Sequence, residues 1–469
     1  MYLSIKSFCV NSLHTSKKAA LPSAHSLATT FLITIFTCLS VLIQVSPVDA
    51  SNRTEVAPLD LVSPKRADLM AKYIYAKHRE WKTSCRFGTD IYHRHLGVWN
   101  GLWEYDPPKR SFEDFIISFN DLLDSIKQEG FNSSYPIPVG SDGIICNGAH
   151  RLSACLLYNK KVNVDPIPYE CPYDFDYFKE LGLESKYLDA MALQYCELKP
   201  DSYIMIVFPS AVGHKTEVEK IIKSYAEIVY KKEILFTPIG GFNLILTAYE
   251  HEPFVREGIG NNYPSARYKA KLCFPDHLTP HHAAKVYLLR SESLDLIKAC
   301  KAKIRALFNI YNDSVHTTDI HREAIVLART LFNKNSLHRL NHKKVVSFPQ
   351  FERYFEEYRN WLASNHKENE WFSVDGGAIL AAYGLRECND LDFLHYEKED
   401  LGVNIPGIDS HNHLLHHHAL PLDDILFDPD NYFFYRGVKF CSLSILKRMK
   451  EQRGESKDFF DLWLISQLD

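Results

Sequence analysis

The sequence predicts a multidomain chain of α/β and α+β class, and three observations predict it. At 469 residues the chain is longer than one hydrophobic core usually organises. Segments of helical period alternate with short apolar strand-like runs in three successive blocks from about residue 64 onward. The last block carries "VDGGAILAAYGLRECNDLDF" (Val374–Phe393), where two glycines precede two aspartates that alternate with apolar residues. Helical periodicity does not produce that spacing; a loop admitting a phosphate and a strand holding a metal would. Hydrophobic residues make up 46%, aromatics 13% and charged residues 24%, as in ordinary globular proteins. A formal net charge of −4 gives no overall pull toward nucleic acid, so nucleic acid is not expected as a partner.

At the N-terminus, Lys17 and Lys18 precede an uncharged run, Ala28–Val45, and Val48-Asp49-Ala50 has small-x-small character. Residues 1–50 are therefore expected to be a secretory signal peptide or a type II signal anchor, with membrane contact confined to that segment. The expected location is the secretory pathway: lumenal, secreted or anchored. Nine cysteines lie beyond the run, with no CxxC pair and no zinc spacing, and their odd number leaves at least one thiol unpaired within the chain. Sequons at Asn52, Asn132 and Asn312 permit glycosylation in such a compartment.

The first block, 64–195, is helical in pattern from about residue 64 to 130, and two segments show it most plainly. They are "SPKRADLMAKYIYAKHREW" and "SFEDFIISFNDLLDSIKQEGF", the second with Ser111 as N-cap and Gly130 as stop. "YPIPVGSDGIICNGAHRLSACLLYNKKVNVDPIPYE" then predicts strand, turn, strand, helix, strand. A strand over Gly143–Cys146 runs through Asn147-Gly148-Ala149-His150-Arg151 into a helix. A glycine beside free helix N–H groups lets an anion approach, and His150 and Arg151 add charged donors. This turn, followed by the small-residue helix "LSACLL", resembles the ParB/sulfiredoxin fold. The resemblance implies a phosphate site for ATP, ADP or CTP at Gly148, His150 and Arg151. Ala149 stands where sulfiredoxin needs a cysteine, which excludes that chemistry. The competing reading is a structural turn capped by Asn147.

The second block, 196–344, reads strand ("DSYIMIVFPS"), helix ("KTEVEKIIKSYAEIVYKKE"), two strands ("ILFTPI" and "FNLILTAY"), strand ("AAKVYLLR") and two helices. The order suggests a ferredoxin-like unit. "IVFPSA", "KIRALF" with Arg305, and "SVHTTDIHREAIVLARTLF" loosely resemble nucleoside diphosphate kinase, which implies His316 as a phosphorylated nucleophile. Phe208 occupies the position of that family's phosphate-binding lysine.

The third block, 345–469, begins with the helix "SFPQFERYFEEYRNWLASN". Gly376-Gly377 are followed by twelve residues and then Asp390-Leu391-Asp392-Phe393. Residues i and i+2 of a strand point to one face, so Asp390 and Asp392 can share Mg²⁺ held against a triphosphate. The glycines admit phosphates without a Cβ in the way. This pattern resembles the nucleotidyltransferases of the polymerase-β superfamily. The tail "GVKFCSLSILKRMKEQRGESKDFFDLWLI" resembles AbiEii-like and related minimal nucleotidyltransferases, and the layout is also similar to LicD/fukutin phosphotransferases. The resemblance implies phosphate contacts from Arg386, Lys447, Lys450, Arg453 and Lys457, with Asp458 and Asp461 orienting the basic groups. Asp428 is the expected third carboxylate and Asp424 its rival. The histidine run "SHNHLLHHHALPLDD" is expected to be a solvated loop.

Together these readings imply Mg²⁺-dependent transfer of a nucleotidyl or phosphoryl group from ATP or CTP to a hydroxyl of a small molecule or glycan. Two rivals are a small-molecule kinase acting at His150 and Arg151, and a nucleotide-binding protein without catalysis.

Overall fold

A computed structural model describes residues 54–468 apart from 106, 260, 280, 366–368, 398–400 and 402. The expected signal segment and the Asn52 sequon lie outside the described residues. The molecule is mixed α/β, with three separate sheets interleaved with helices. Among the described residues no helix is long and apolar enough to cross a membrane.

The capping signals of the first block act as their chemistry requires. Ser111 accepts from the Asp114 backbone N–H while Asp114 accepts from that of Ser111, and helix Phe112–Glu129 ends at Gly130, φ +84°. Strands β1 (Thr54–Val56), β2 (Ile137–Val139) and β3 (Val162–Pro166) form a sheet ordered β1-β3-β2, with β3 antiparallel to β1 and parallel to β2. Helix Ala149–Tyr158 crosses from β2 to β3 and packs on helix Asp68–Trp81. The strand expected at Gly143–Cys146 is reduced to one bridge, Ile145 with Val139, because Gly143 turns the chain at φ +78°. Helix Phe87–Asn100 falls within the stretch of helical pattern expected over 64–130, whereas helix Ser185–Leu198 went unforeseen.

The second sheet contains β4 (Ser202–Val207), β5 (Glu227–Ile234), β6 (Ala284–Arg290) and β7 (Val315–Thr317). Its order is β5-β6-β4-β7, antiparallel throughout. Helices Lys215–Lys223 and Leu294–Phe308 cover one face, packing Val218, Ile222, Ile297 and Ile304 against Met205, Val207 and Leu289. Three expectations fail here, one of them the strand at "ILFTPI", where only Ile234 is in a strand and Thr237-Pro238 already open a helix. The helix expected through Glu233 stops at Lys223, because "EIVYKKEI" is rich in β-branched and aromatic residues and pairs with β6. "FNLILTAY" forms the end of helix Pro238–Ala248, with Tyr249 as its C-cap, rather than a strand. Thr237 caps it by accepting from Gly240 N–H, Pro238 opens it, and its apolar residues are buried on several sides, so period alone could not identify it.

The third sheet has β8 (Phe372–Asp375), β9 (Leu391–His395), β10 (Ile408–Ser410), β11 (Tyr432–Tyr435) and β12 (Val438–Cys441), ordered β10-β9-β8-β12-β11. Strand β8 is antiparallel to β9 and parallel to β12. Helix Pro349–Ser364 lays Phe355 on Phe440 and Tyr358 on Phe393. One buried apolar cluster runs from Leu61 to Leu468 and takes side chains from all three blocks. Polar ties reinforce it: Lys77 reaches Glu370 at 2.7 and 2.9 Å, and Tyr396 donates to the Trp81 carbonyl at 3.2 Å.

Candidate functional site

The diglycine and the two aspartates meet in a cleft of about 320 Å³ at the C-terminal end of β8. Asp392 lies on β9 and Asp390 immediately precedes that strand, so alternation carries both toward one face. Asp390 is exposed and Asp392 buried. Strand pairing then adds a carboxylate that the sequence reading did not assign: Asp375, the last residue of β8, lies directly opposite Asp392. Its signal was present in "VDGG", an acidic residue at a strand end against the glycine turn.

Gly376 is the stricter of the two glycines. Its φ is +64°, and a Cβ there would stand 2.5 Å from Asp392 Oδ2. At Gly377 a Cβ would meet Arg386 Nη2 at 3.4 Å, a tight but passable contact. The turn therefore brings backbone against a carboxylate, which only glycine permits.

The histidine run is not simply a solvated loop. His411 Nε2 lies 2.8 Å from Asp392 Oδ1, and His418 Nε2 lies 3.1 Å from Asp375 Oδ2. Asn412 fixes the loop by exchanging hydrogen bonds with the backbone of His395 at 3.0 and 2.8 Å. Only His413 and His416 of the five are exposed. Nothing in the sequence spacing signals these pairings, which depend on strand register. Burial opposes charge on both imidazoles, yet their hydrogen bonds to Asp392 and Asp375 raise both pKa values. Burial pushes the Asp392 carboxyl up, helped by the charges of Asp390 and Asp375 and opposed by His411. Burial pushes Asp375 up as well, but the His418 contact outweighs it and leaves its pKa lowered.

The opposite wall is basic. Arg386 clasps Asp461 through Nε and Nη2 at 2.5 and 2.8 Å. Lys450 reaches Asp461 at 2.6 Å and Asp458 at 3.0 Å, and Arg453 holds Asp458 at 2.9 and 2.7 Å. Asp458 and Asp461 thus pair with the basic groups of this wall. Lys457 projects at the rim beside Glu455. Lys447 does not line the cleft.

The donor set fits Mg²⁺ of the kind completed by substrate. Among the described residues no three His, Cys, Asp or Glu side chains form a ready cage. Mg²⁺ typically takes one or two carboxylates and completes its shell with water and phosphate oxygens. Asp375 Oδ1 is buried with no hydrogen-bond partner among the described residues, an arrangement that favours a cation nearby.

Other expected site residues lie elsewhere. Asp428 caps the end of helix Leu422–Phe427 and accepts from Asp430 N–H at 2.9 Å, outside the cleft; Asp424, on the same helix, is also outside. The carboxylate that does lie beside Asp392 is Asp375. His150 Nε2 meets the Tyr92 hydroxyl at 2.8 Å, and its ring packs edge-on against Phe119. Burial, with Lys72 and Lys109 nearby, holds its pKa well below the usual imidazole value. Arg151 lies against Gly148 and donates to the carbonyls of Tyr135 and Pro136. Both side chains expected to bind phosphate are thus engaged by protein. His316 sits on β7 against Tyr249, with Nε2 buried and without a partner among the described residues, and burial lowers its pKa to about 3. Phe208 is buried. Comparisons with profiles of known protein families, with curated proteins and with solved structures find no match.

Proposed function

We propose that the chain is a Mg²⁺-dependent nucleotidyl- or phosphotransferase acting at the Asp375–Asp390–Asp392 cleft. Its donor is ATP or CTP and its acceptor a hydroxyl of a small molecule or glycan. The observation that carries this reading is the meeting of three carboxylates at a diglycine turn with a basic wall opposite. The C-terminal block is read as a nucleotidyltransferase fold. The alternation and strand order of the second sheet support a ferredoxin-like unit, and the crossover from β2 to β3 supports a ParB/sulfiredoxin-like unit.

Bound Mg²⁺ would offset charge developing on the transferred phosphorus group. Asp390 and Asp392 would hold the ion, with Asp375 beside them. Gly376 and Gly377 leave room for phosphate oxygens. Arg453 and Lys457, toward the rim, would face the phosphate chain, while Asp461 and Asp458 keep Arg386 and Lys450 in place. The glycan acceptor rests on the predicted secretory location, which the exposed sequons at Asn132 and Asn312 suit.

Turnover on a panel of nucleotides and hydroxyl acceptors, read by mass spectrometry, tests the reading. Asp390→Asn and Asp392→Asn should each lower Mg²⁺-dependent transfer by at least about a hundred-fold with an unchanged circular dichroism spectrum. Retained turnover in both variants would move the chemistry elsewhere.

A further inference from the structure

A second built cavity, of about 510 Å³, lies away from the acidic cleft. It is bounded by helix Pro238–Ala248, residues 250–259 and Tyr263, helices Lys334–His342 and Pro349–Ser364, and the turn between β11 and β12. That turn precedes β12, which runs parallel to β8, whereas Asp375 ends β8. The two sites therefore occupy opposite ends of one sheet.

Arg339 is the unusual residue. Its side chain is 2% exposed and stacks over Tyr435 at 4.8 Å, yet no group among the described residues accepts from its Nε or Nη1. Among the described residues no carboxylate pairs with it. Lys343, one turn further along, also lines the cavity, and its Nζ has only a marginal 3.5 Å contact to the Lys344 carbonyl. The carboxylates present are already committed. Arg436 holds Glu250 at 2.7 Å, Glu352 at 3.0 Å and Glu356 at 2.7 Å, and Arg359 shares Glu356 at 2.7 Å. Five cations line the cavity (Arg256, Arg339, Lys343, Arg359, Arg436) against three glutamates, an excess of two positive charges.

A buried guanidinium without an acceptor is costly, and a ligand that supplied an anion would offset that cost. Its planar donors suit the oxygens of a phosphate or carboxylate. Leu246, Val255 and Ile259 supply an apolar wall beside them. We propose that this cavity binds a small organic anion, its phosphate or carboxylate head held by Arg339 and Lys343 and its apolar body against that wall. Burial lowers the Lys343 pKa to about 8, and a bound anion would return it upward.

Calorimetric titration of the full chain with inorganic phosphate, phenyl phosphate, benzoate and neutral benzyl alcohol tests this. Phenyl phosphate or benzoate should bind and benzyl alcohol should not; which of the two acids binds more tightly identifies the head group, and inorganic phosphate measures the apolar contribution. Arg339→Met should weaken binding about ten- to a hundred-fold, and Lys343→Gln several-fold. Binding should persist in Asp392→Asn, which separates this cavity from the nucleotide cleft. If no anion binds wild type, or if Lys343→Gln and a folded Arg339→Met bind as wild type does, the proposal is overturned. Should Arg339→Met not fold, the partly exposed Lys343 decides alone.

Discussion

Gly376 carries two constraints at one position. Its backbone is in a region that L-residues enter only under strain, and the space where a Cβ would stand belongs to Asp392 Oδ2. Gly376→Ala should therefore cost about 1–3 kcal/mol from the backbone alone, and displace the carboxylate as well. Thermal denaturation should show the loss, and transfer should fall with it. Gly377→Ala should be much milder, because its 3.4 Å neighbour is the end of a long arginine. Equal effects at the two glycines would refute this division. Arg339 is a second residue whose own stability effect is predictable. Replacing an unpaired buried charge by an apolar chain of similar length removes a desolvation penalty, so ligand-free Arg339→Met should melt no lower than wild type. A clearly lower melting temperature would mean that the stacking on Tyr435 outweighs that penalty.

At the scale of elements, local chemistry was legible and long-range pairing was not. Ser111 and Gly130 mark the two ends of one helix in the sequence and do so in the structure, because caps act within a single turn. "KTEVEKIIKSYAEIVYKKE" looks continuously helical, yet its second half becomes β5; pairing with β6, whose partner residues lie 50 to 63 positions away in sequence, decides the matter. The acidic pair Asp390 and Asp392 was legible for the same local reason, since strand alternation needs no tertiary knowledge. Asp375 required the β8–β9 register, and His411 and His418 required the path of a loop. That loop makes its own prediction. His418→Ala would remove the imidazole from Asp375 Oδ2 while Oδ1 already lacks a partner, leaving a buried carboxylate poorly satisfied. Breaking such a buried pair costs about 3 kcal/mol or more, measurable by denaturant titration. His413→Ala, on the exposed side of the same loop, should change stability little.

At the scale of the molecule, the apolar cluster that joins the blocks is accompanied by buried charges, and Lys439 is the most telling of them. Its ammonium lies under the Phe427 and Tyr432 rings and donates to the carbonyls of Glu370 and Leu426. Glu370 and Glu197 favour its charge while Arg329 and Lys77 oppose it, and burial, the largest influence, pushes the pKa down to about 7 from an ordinary 10.5. Between those values the unfolded chain binds more protons than the folded one, so the contribution of Lys439 to stability rises with pH across that window. Buried cysteines act in the opposite sense once unfolded thiols ionise, near pH 8.5. The measurement is therefore a difference, wild type minus Lys439→Met, in which the cysteines cancel. That difference should shift in favour of wild type by on the order of 2 kcal/mol between pH 7 and 9. A flat difference would mean that Lys439 remains charged in the fold, held by its two carbonyls and by Glu370 despite its burial.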